Sequence, residues 1–227
     1  MHATAITVCI DFADFLADTL PVNRPHFNQY VIVTSSDDAA TQRFARKHAC
    51  KLVVSDRFRE THAFDKGAAI NDGLAVADKR QWLCHLDADI VLPANFRQWL
   101  IGVRRVVKHA DHLNEHIIGM HRHNCRNRAE WLKWLATHQR MRLKWPVEKL
   151  REWNQIPAGY LQIWHASMGA RYPEGHPTAS GSDIAFGEQF TYRFHPNQPR
   201  VIHLEAKSRQ NEDYRGRKSP PWRELPP

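Results

Sequence analysis

Two carboxylates one residue apart close a hydrophobic run. Leu86-Asp87-Ala88-Asp89-Ile90 follows directly on the strand-like segment Trp82–Leu86. Carboxylates held at a strand end cost desolvation unless something pairs with them. A divalent cation removes that cost, and oxygen ligands suit Mg²⁺ or Mn²⁺. The same cation can neutralise a diphosphate leaving group. The plainer alternative is a pair of loop acids, one of which caps the next helix. A second cluster, His121-Arg122-His123-Asn124-Cys125, offers soft-metal donors. Its alternation is not zinc-ligand spacing, and a chain with fifteen histidines makes such clusters by chance.

A third group is defined by charge. The formal net charge is +8. Residues 1–103 carry 11 Lys/Arg against 12 Asp/Glu, residues 104–155 carry 12 against 5, and residues 156–227 carry 9 against 7. Nearly all the excess is therefore central. Arg126, Arg128 and Lys133 lie there, interleaved with Trp131 and Trp134. Basic residues mixed with aromatics suit a phosphate backbone with an exposed base. A solvated basic helix face is the alternative.

These groups need a scaffold. Ile6–Ile10, Tyr30–Thr34, Leu52–Val54 and Trp82–Leu86 read as buried strands. Asp38–His48, Lys66–Ala77 and Phe96–Val107 read as helices, the first behind an acidic N-cap. Strands alternating with helices of this length predict βαβ units and a mainly parallel sheet, an α/β fold. In an open sheet of that kind ligands bind beyond the carboxyl ends of the strands, where Asp87 and Asp89 fall. Further on, His116–Met120, Tyr160–Trp164 and Val201–Leu204 read as strands. Arg128–Arg140 and Val147–Trp153 read as helices, and Ser180-Gly181-Ser182-Asp183 caps a short helix running through Phe190. The tail from Ser208 to Pro227 is polar and Pro-rich.

Composition narrows the class. At 227 residues and 42% hydrophobic content the chain can bury a sizeable core. No segment approaches the roughly 18 apolar residues of a membrane span, and the N-terminus lacks a basic leader, so a cytoplasmic protein is the expectation. The four cysteines are widely spaced and are expected to be reduced. No Walker lysine loop, GxGxxG, HExxH or GxSxG is present.

The order of motifs resembles family 2-like glycosyltransferases of the GT-A fold. It runs strand, acidic turn, strand, Asp37-Asp38, strand, Lys66-Gly67-Ala68-Ala69-Ile70-Asn71, strand, Asp87-Ala88-Asp89. Gly159–Trp164, Gly181–Phe186, and Val201–Leu204 with Asn211 and Gly216-Arg217 extend the resemblance, with Glu205 where Gly is common and a single acid at Asp183. It implies a Rossmann-like, mainly parallel sheet flanked by helices in one domain, 1–207. Residues 1–103 would form the nucleotide-sugar and metal half. Residues 104–207 would form the acceptor half with a helical insertion, and 208–227 a tail. It implies that Asp87, Asp89 and His203 hold the metal on the donor diphosphate, that Lys66 and Arg217 bind the donor, a UDP-sugar, and that Asp11 and Asp37 or Asp38 face its nucleoside. Asp183 would be the catalytic base of an inverting transfer, with Glu188 in reserve. Tyr160 and Trp164 would line the acceptor pocket, although Trp164 also suits a core.

The central basic stretch extends the same resemblance toward phage enzymes that glycosylate hydroxymethylated pyrimidines in DNA. Within the same enzyme class the alternative acceptor is a bacterial surface glycan or lipid-linked saccharide, with the basic stretch on anionic headgroups. From another class, the alternative is a non-catalytic nucleic-acid-binding module on the same fold.

Overall fold

A computed structural model describes residues 1–59, 64–80, 82–108, 115–138, 155–195 and 200–204. The expected helix at 147–153, the basic residues from Arg140 to Arg151, and Asn211, Gly216, Arg217 and the tail lie outside the described residues.

Apart from its first helix, the parallel strands and helices of the first half follow the predicted hydrophobic periods. β1 (Ala3–Val8), β2 (Gln29–Thr34), β3 (Lys51–Val54) and β4 (Trp82–Leu86) are linked by α1 (Ala13–Asn23), α2 (Ala39–Lys47) and α3 (Lys66–Val76). The strands run parallel in the order β3-β2-β1-β4. β8 (Leu161–His165) joins antiparallel beside β4, followed by β6 (His116–Ile118) and β9 (Tyr192–Phe194), which makes seven strands. A smaller sheet has the order β5 (Ile90–Val91), β10 (Val201–Leu204), β7 (Arg122–Cys125). Three further α-helices are α4 (Phe96–Lys108), α5 (Arg128–His138) and α6 (Ala179–Gly187).

Both faces of the large sheet are covered. Leu16 and Leu20 of α1 and Phe96, Trp99 and Leu100 of α4 pack with Cys84 and Leu86 on one face. Ala69, Ile70 and Leu74 of α3 and Phe186 of α6 pack with Ile6 and Leu83 on the other. Strand alternation sends Leu83 and His85 toward α3 and their neighbours toward α4. Gly73 lets α3 approach the sheet, since a Cβ there would stand 2.6 Å from Cγ2 of Ile6. The small sheet packs Val91, Cys125 and Ile202 against Phe15 of α1 and Trp131 of α5.

Four elements were not read from the sequence. α1 carries Pro21 inside the helix, and its Asp14 and Asp18 interrupt the apolar pattern. β5, β7 and β9 are two to four residues long, too short for a period to show.

Candidate active site

All parallel strands of the large sheet end at one edge, and the acidic residues gather there. Asp11 follows β1, Asp37 and Asp38 follow β2, and Asp87 and Asp89 follow β4. β8 starts at this same edge, because Leu161 pairs with Leu86. Gly159 and Tyr160 therefore lie beside the acidic turn, and the Asp87 N–H donates to the Tyr160 carbonyl at 3.0 Å.

Lys66 is the centre of the arrangement. Its Nζ lies 3.1 Å from Oδ1 of Asp87 and 3.1 Å from Oδ2 of Asp183, and it donates to the Gly159 carbonyl at 3.2 Å. Asp65 caps α3 through Ala68 N–H and accepts from Gly175 N–H, which fixes the first turn that carries Lys66. Burial alone would lower the Lys66 pKa. Asp183 and Asp87 outweigh it and hold the ammonium charged, well above its ordinary value.

Burial, only partly opposed by Lys66, pushes the Asp87 carboxyl up to about 6, and Asp89 and Asp183 add to the rise. Asp183 is raised for the same first reason, against the pull of Lys66. His85, fully buried, sits with Nε2 3.4 Å from Oδ1 of Asp87. Burial, then the Lys66 charge, keeps it well below the ordinary imidazole range, so it is neutral.

Asp89 faces the small sheet. Its carbonyl accepts from Leu204 N–H at 2.8 Å, and its Oδ2 lies 3.1 Å from Nε2 of His203. Nδ1 of His203 meets Oδ1 of Asn124 at 3.2 Å. Asn124 thus orients the imidazole, as an outer partner does for a histidine that binds metal. The helix-capping alternative for Asp89 is excluded, since α4 starts seven residues later with Phe96 N–H bonded to the Pro93 carbonyl. Oδ1 of Asp89 is buried with no hydrogen-bond partner among the described residues. That orphaned oxygen beside an oriented imidazole fits a divalent cation. No three His, Cys, Asp or Glu side chains among the described residues form a ready-made cage. Asp89 and His203 could supply two ligands, while Asp87 is engaged by Lys66. So few protein ligands suit a cation that completes its shell with phosphate oxygens and water.

Asp183 lies beyond the first turn of α6, whose N-cap is Thr178, so its place owes nothing to helix capping. Oδ1 of Asp183 is buried with no hydrogen-bond partner among the described residues, and Oδ2 is on Lys66. Glu188 is the exposed C-cap residue of the same helix. Gln162 was not singled out in the sequence. It is fully buried, and its Nε2 donates to the carbonyls of Pro157 (2.9 Å) and Asp183 (3.1 Å). No local pattern marks a buried glutamine as a brace.

Two expectations are corrected. Asp38 is buried and engaged three times over: it caps α2 through Thr41 N–H (2.9 Å) and accepts from Thr34 Oγ1 (3.2 Å) and Asp11 N–H (2.8 Å). Its oxygens are taken up by the cap and the loop backbone. Trp164 is fully buried between Tyr172 and Phe186, at ring distances of 6.2 and 4.9 Å, and packs the core.

The other candidates among the described residues are exposed or half-buried. Asp37 is exposed and forms a paired contact with Nη2 of Arg59 at 2.7 and 2.9 Å. The Ser35 hydroxyl and Arg59 hold its carboxyl below the ordinary range. Asp11 is exposed with φ of 63°, a left-handed conformation found at functional loops. Tyr160 donates its hydroxyl to the Met120 carbonyl, and the Arg122 guanidinium lies 5.1 Å above its ring. Arg126, Arg128 and Lys133 follow on β7–α5.

No family model matches the chain, and no curated protein matches it. Solved structures do. Glucosyl-3-phosphoglycerate synthase from Mycobacterium tuberculosis, in complex with Mn²⁺, UDP and glucosyl-3-phosphoglycerate, superposes with a TM-score of 0.53 at 9% identity, over 90% of this chain and 72% of that one. A nucleotidyl transferase from Methanothermobacter gives a TM-score of 0.52 at 10% identity, over 87% and 88%. The chain has the GT-A fold. The same synthase with Mn²⁺, UDP and phosphoglyceric acid gives 0.50 at 12% identity, over 90% and 71%. At such identities the likeness establishes the GT-A fold and nothing finer.

Proposed function

We propose that this GT-A chain transfers a sugar from a nucleotide-sugar, a UDP-sugar by analogy with the synthase, to a hydroxyl acceptor. The observation that carries the reading is the convergence on Lys66 of Asp87 from the acidic turn and Asp183 from α6, with the Asp89–His203 pair alongside. Buried Asp183 and half-buried Asp87, both with raised carboxyls and sharing one lysine at the sheet edge, favour the catalytic reading over a non-catalytic binding module.

Asp89 and His203 would hold Mn²⁺ or Mg²⁺, with Asp87 joining once its oxygen leaves Lys66. When bound, the cation neutralises charge on the departing diphosphate. Lys66 adds positive charge at the same point, and Asp11 and Asp37 stand at the edge where the nucleoside would lie. Asp183 Oδ1 takes the proton from the acceptor hydroxyl as its oxygen attacks the anomeric carbon and the bond to the diphosphate breaks. That single displacement inverts the anomeric configuration. Gln162 holds the backbone of Asp183 in place. Residues 1–103 would serve the donor and 104–207 the acceptor. Arg217 remains a donor-binding candidate on sequence grounds.

The acceptor is proposed to be anionic, namely hydroxymethylated pyrimidine in DNA. Arg122 packed on Tyr160, followed by Arg126, Arg128 and Lys133, supports this. Among the described residues no helix is long and apolar enough to cross a membrane.

The test is a transfer assay with Mn²⁺, a panel of nucleotide sugars, and duplex DNA carrying 5-hydroxymethylcytosine or 5-hydroxymethyluracil. Mass gain on the nucleoside, lost in Asp89→Ala, supports the proposal. Transfer to a saccharide or lipid-linked sugar alone sinks the DNA acceptor. No donor turnover with any acceptor sinks the enzyme reading.

A further inference from the structure

The turn between β4 and β5 and the residues just after it are held from outside by several hydrogen bonds, three of which come from one helix. Oγ1 of Thr19 donates to the Ala88 carbonyl at 2.7 Å. Nδ2 of Asn23 donates to the Ile90 carbonyl at 2.7 Å, and Oδ1 of the same side chain accepts from Leu92 N–H at 2.9 Å. Thr19 and Asn23 stand four residues apart on α1, so both side chains lie on one face, directed at the acidic turn. Both are buried, at 1% and 0% exposure. The opposite side of the turn is held by Leu204 N–H on the Asp89 carbonyl and by the Ile90–His203 and Val91–Ile202 pairing of β5 with β10. Asp89 is thus clamped between α1 and the strand that carries His203.

We infer that Thr19 and Asn23 are positioning residues for the cation site: they fix the turn so that Asp89 meets His203 at ligand spacing. This rests on the metal role proposed above. A buried threonine hydroxyl spent on a turn carbonyl is a directional contact that apolar packing does not supply, since the carbonyl would otherwise be unpaired. A bidentate asparagine amide fixes two backbone groups two residues apart, and so sets the exit of the turn as well as its tip. Neither residue would touch the metal or the substrate. Their effect would pass through the placement of the Asp89 carboxylate, as outer partners do at metal centres.

The experiment is calorimetric titration of the full chain with MnCl₂, alongside thermal unfolding, for wild type, Asp89→Asn, Thr19→Val, Thr19→Ser and Asn23→Ala. Thr19→Val and Asn23→Ala are expected to weaken Mn²⁺ binding about tenfold or more, the usual loss at outer-shell positions. Thr19→Ser, which keeps the hydroxyl, is expected to stay within about twofold of wild type. Thr19→Val with wild-type affinity and a lowered Tm would reduce Thr19 to a packing role and overturn the inference. A wild type that binds no Mn²⁺, or an Asp89→Asn that binds as wild type, overturns the metal reading itself. If Thr19→Val and Asn23→Ala both fail to fold, affinity lost in Thr19→Ser to the same extent as in Asp89→Asn overturns the inference, and retention in Thr19→Ser supports it.

Discussion

A Cβ on Gly159 would stand 1.7 Å from Oδ2 of Asp183, so the candidate base occupies space that only a glycine leaves open. The same glycine gives its carbonyl to Lys66, which holds that very carboxylate oxygen. Gly159→Ala must therefore push Asp183 off Lys66. Transfer is expected to fall by roughly a hundredfold or more, as a misplaced reacting group does, with secondary structure retained. Steady-state kinetics and circular dichroism of the variant check this.

Lys66 lies between two carboxylates in a site where its side chain is 8% exposed and that of Asp183 10%. Lys66→Met leaves both negative charges without their cation. Removing one partner of a buried pair costs about 3–5 kcal/mol, and the partial exposure of Asp87 places the expectation at the lower end. The double variant Lys66→Met/Asp183→Asn is expected to recover part of that loss, because the two sites are in contact. Urea unfolding of wild type, Lys66→Met, Asp183→Asn and the double variant measures the coupling. Additive losses would show that the contact carries no energy.

Burial pushes the Asp87 carboxyl up to about 6, against 3.8 for an ordinary aspartate. A raised carboxyl holds its proton more tightly in the folded protein, so its contribution to stability is present at low pH and is lost as pH rises through about 6. The metal-free protein is expected to lose stability over that interval, and Asp87→Asn to flatten the loss. Divalent-ion affinity should move the other way, weakening as pH falls through about 6, because the cation competes with the proton. Unfolding midpoints and Mn²⁺ titrations across the interval test both directions.

Asp38 and Asp37 are adjacent but have different work. Asp38→Ala removes the cap of α2 and is expected to cost about 1–2 kcal/mol of stability. Asp37→Ala, at an exposed pair with Arg59, is expected to change stability by less than about 1 kcal/mol. If Asp37 faces the nucleoside, its substitution raises the donor KM instead. Urea unfolding and donor titrations of both variants separate the roles.

Trp164 packs the core, so Trp164→Ala is expected to destabilise the protein by about 3–5 kcal/mol. Trp164→Phe should leave the acceptor KM unchanged. A rise in that KM without loss of stability would return Trp164 to the acceptor pocket.

Within residues 1–108 the sequence by itself determined β1 to β4 and α2 to α4, though not α1 or β5, because hydrophobic period and N-cap chemistry are local. It determined that Asp87 and Asp89 end a buried strand, and the resemblance nominated Lys66, Asp183 and His203 from positions far apart in the chain. Only the tertiary structure decided what these residues do to one another. Lys66 meets Asp183 across 117 positions and Asp89 meets His203 across 114, contacts that no window of sequence contains. The same holds for the residues that were misread or missed. Asp38 and Trp164 have the composition of ligands but are consumed by a cap and a core, and Thr19, Asn23 and Gln162 have no motif at all. Their importance comes from which backbone groups they meet when the helix and strand that carry them pack. Packing is a property of the whole chain, whereas a motif records only its own residues.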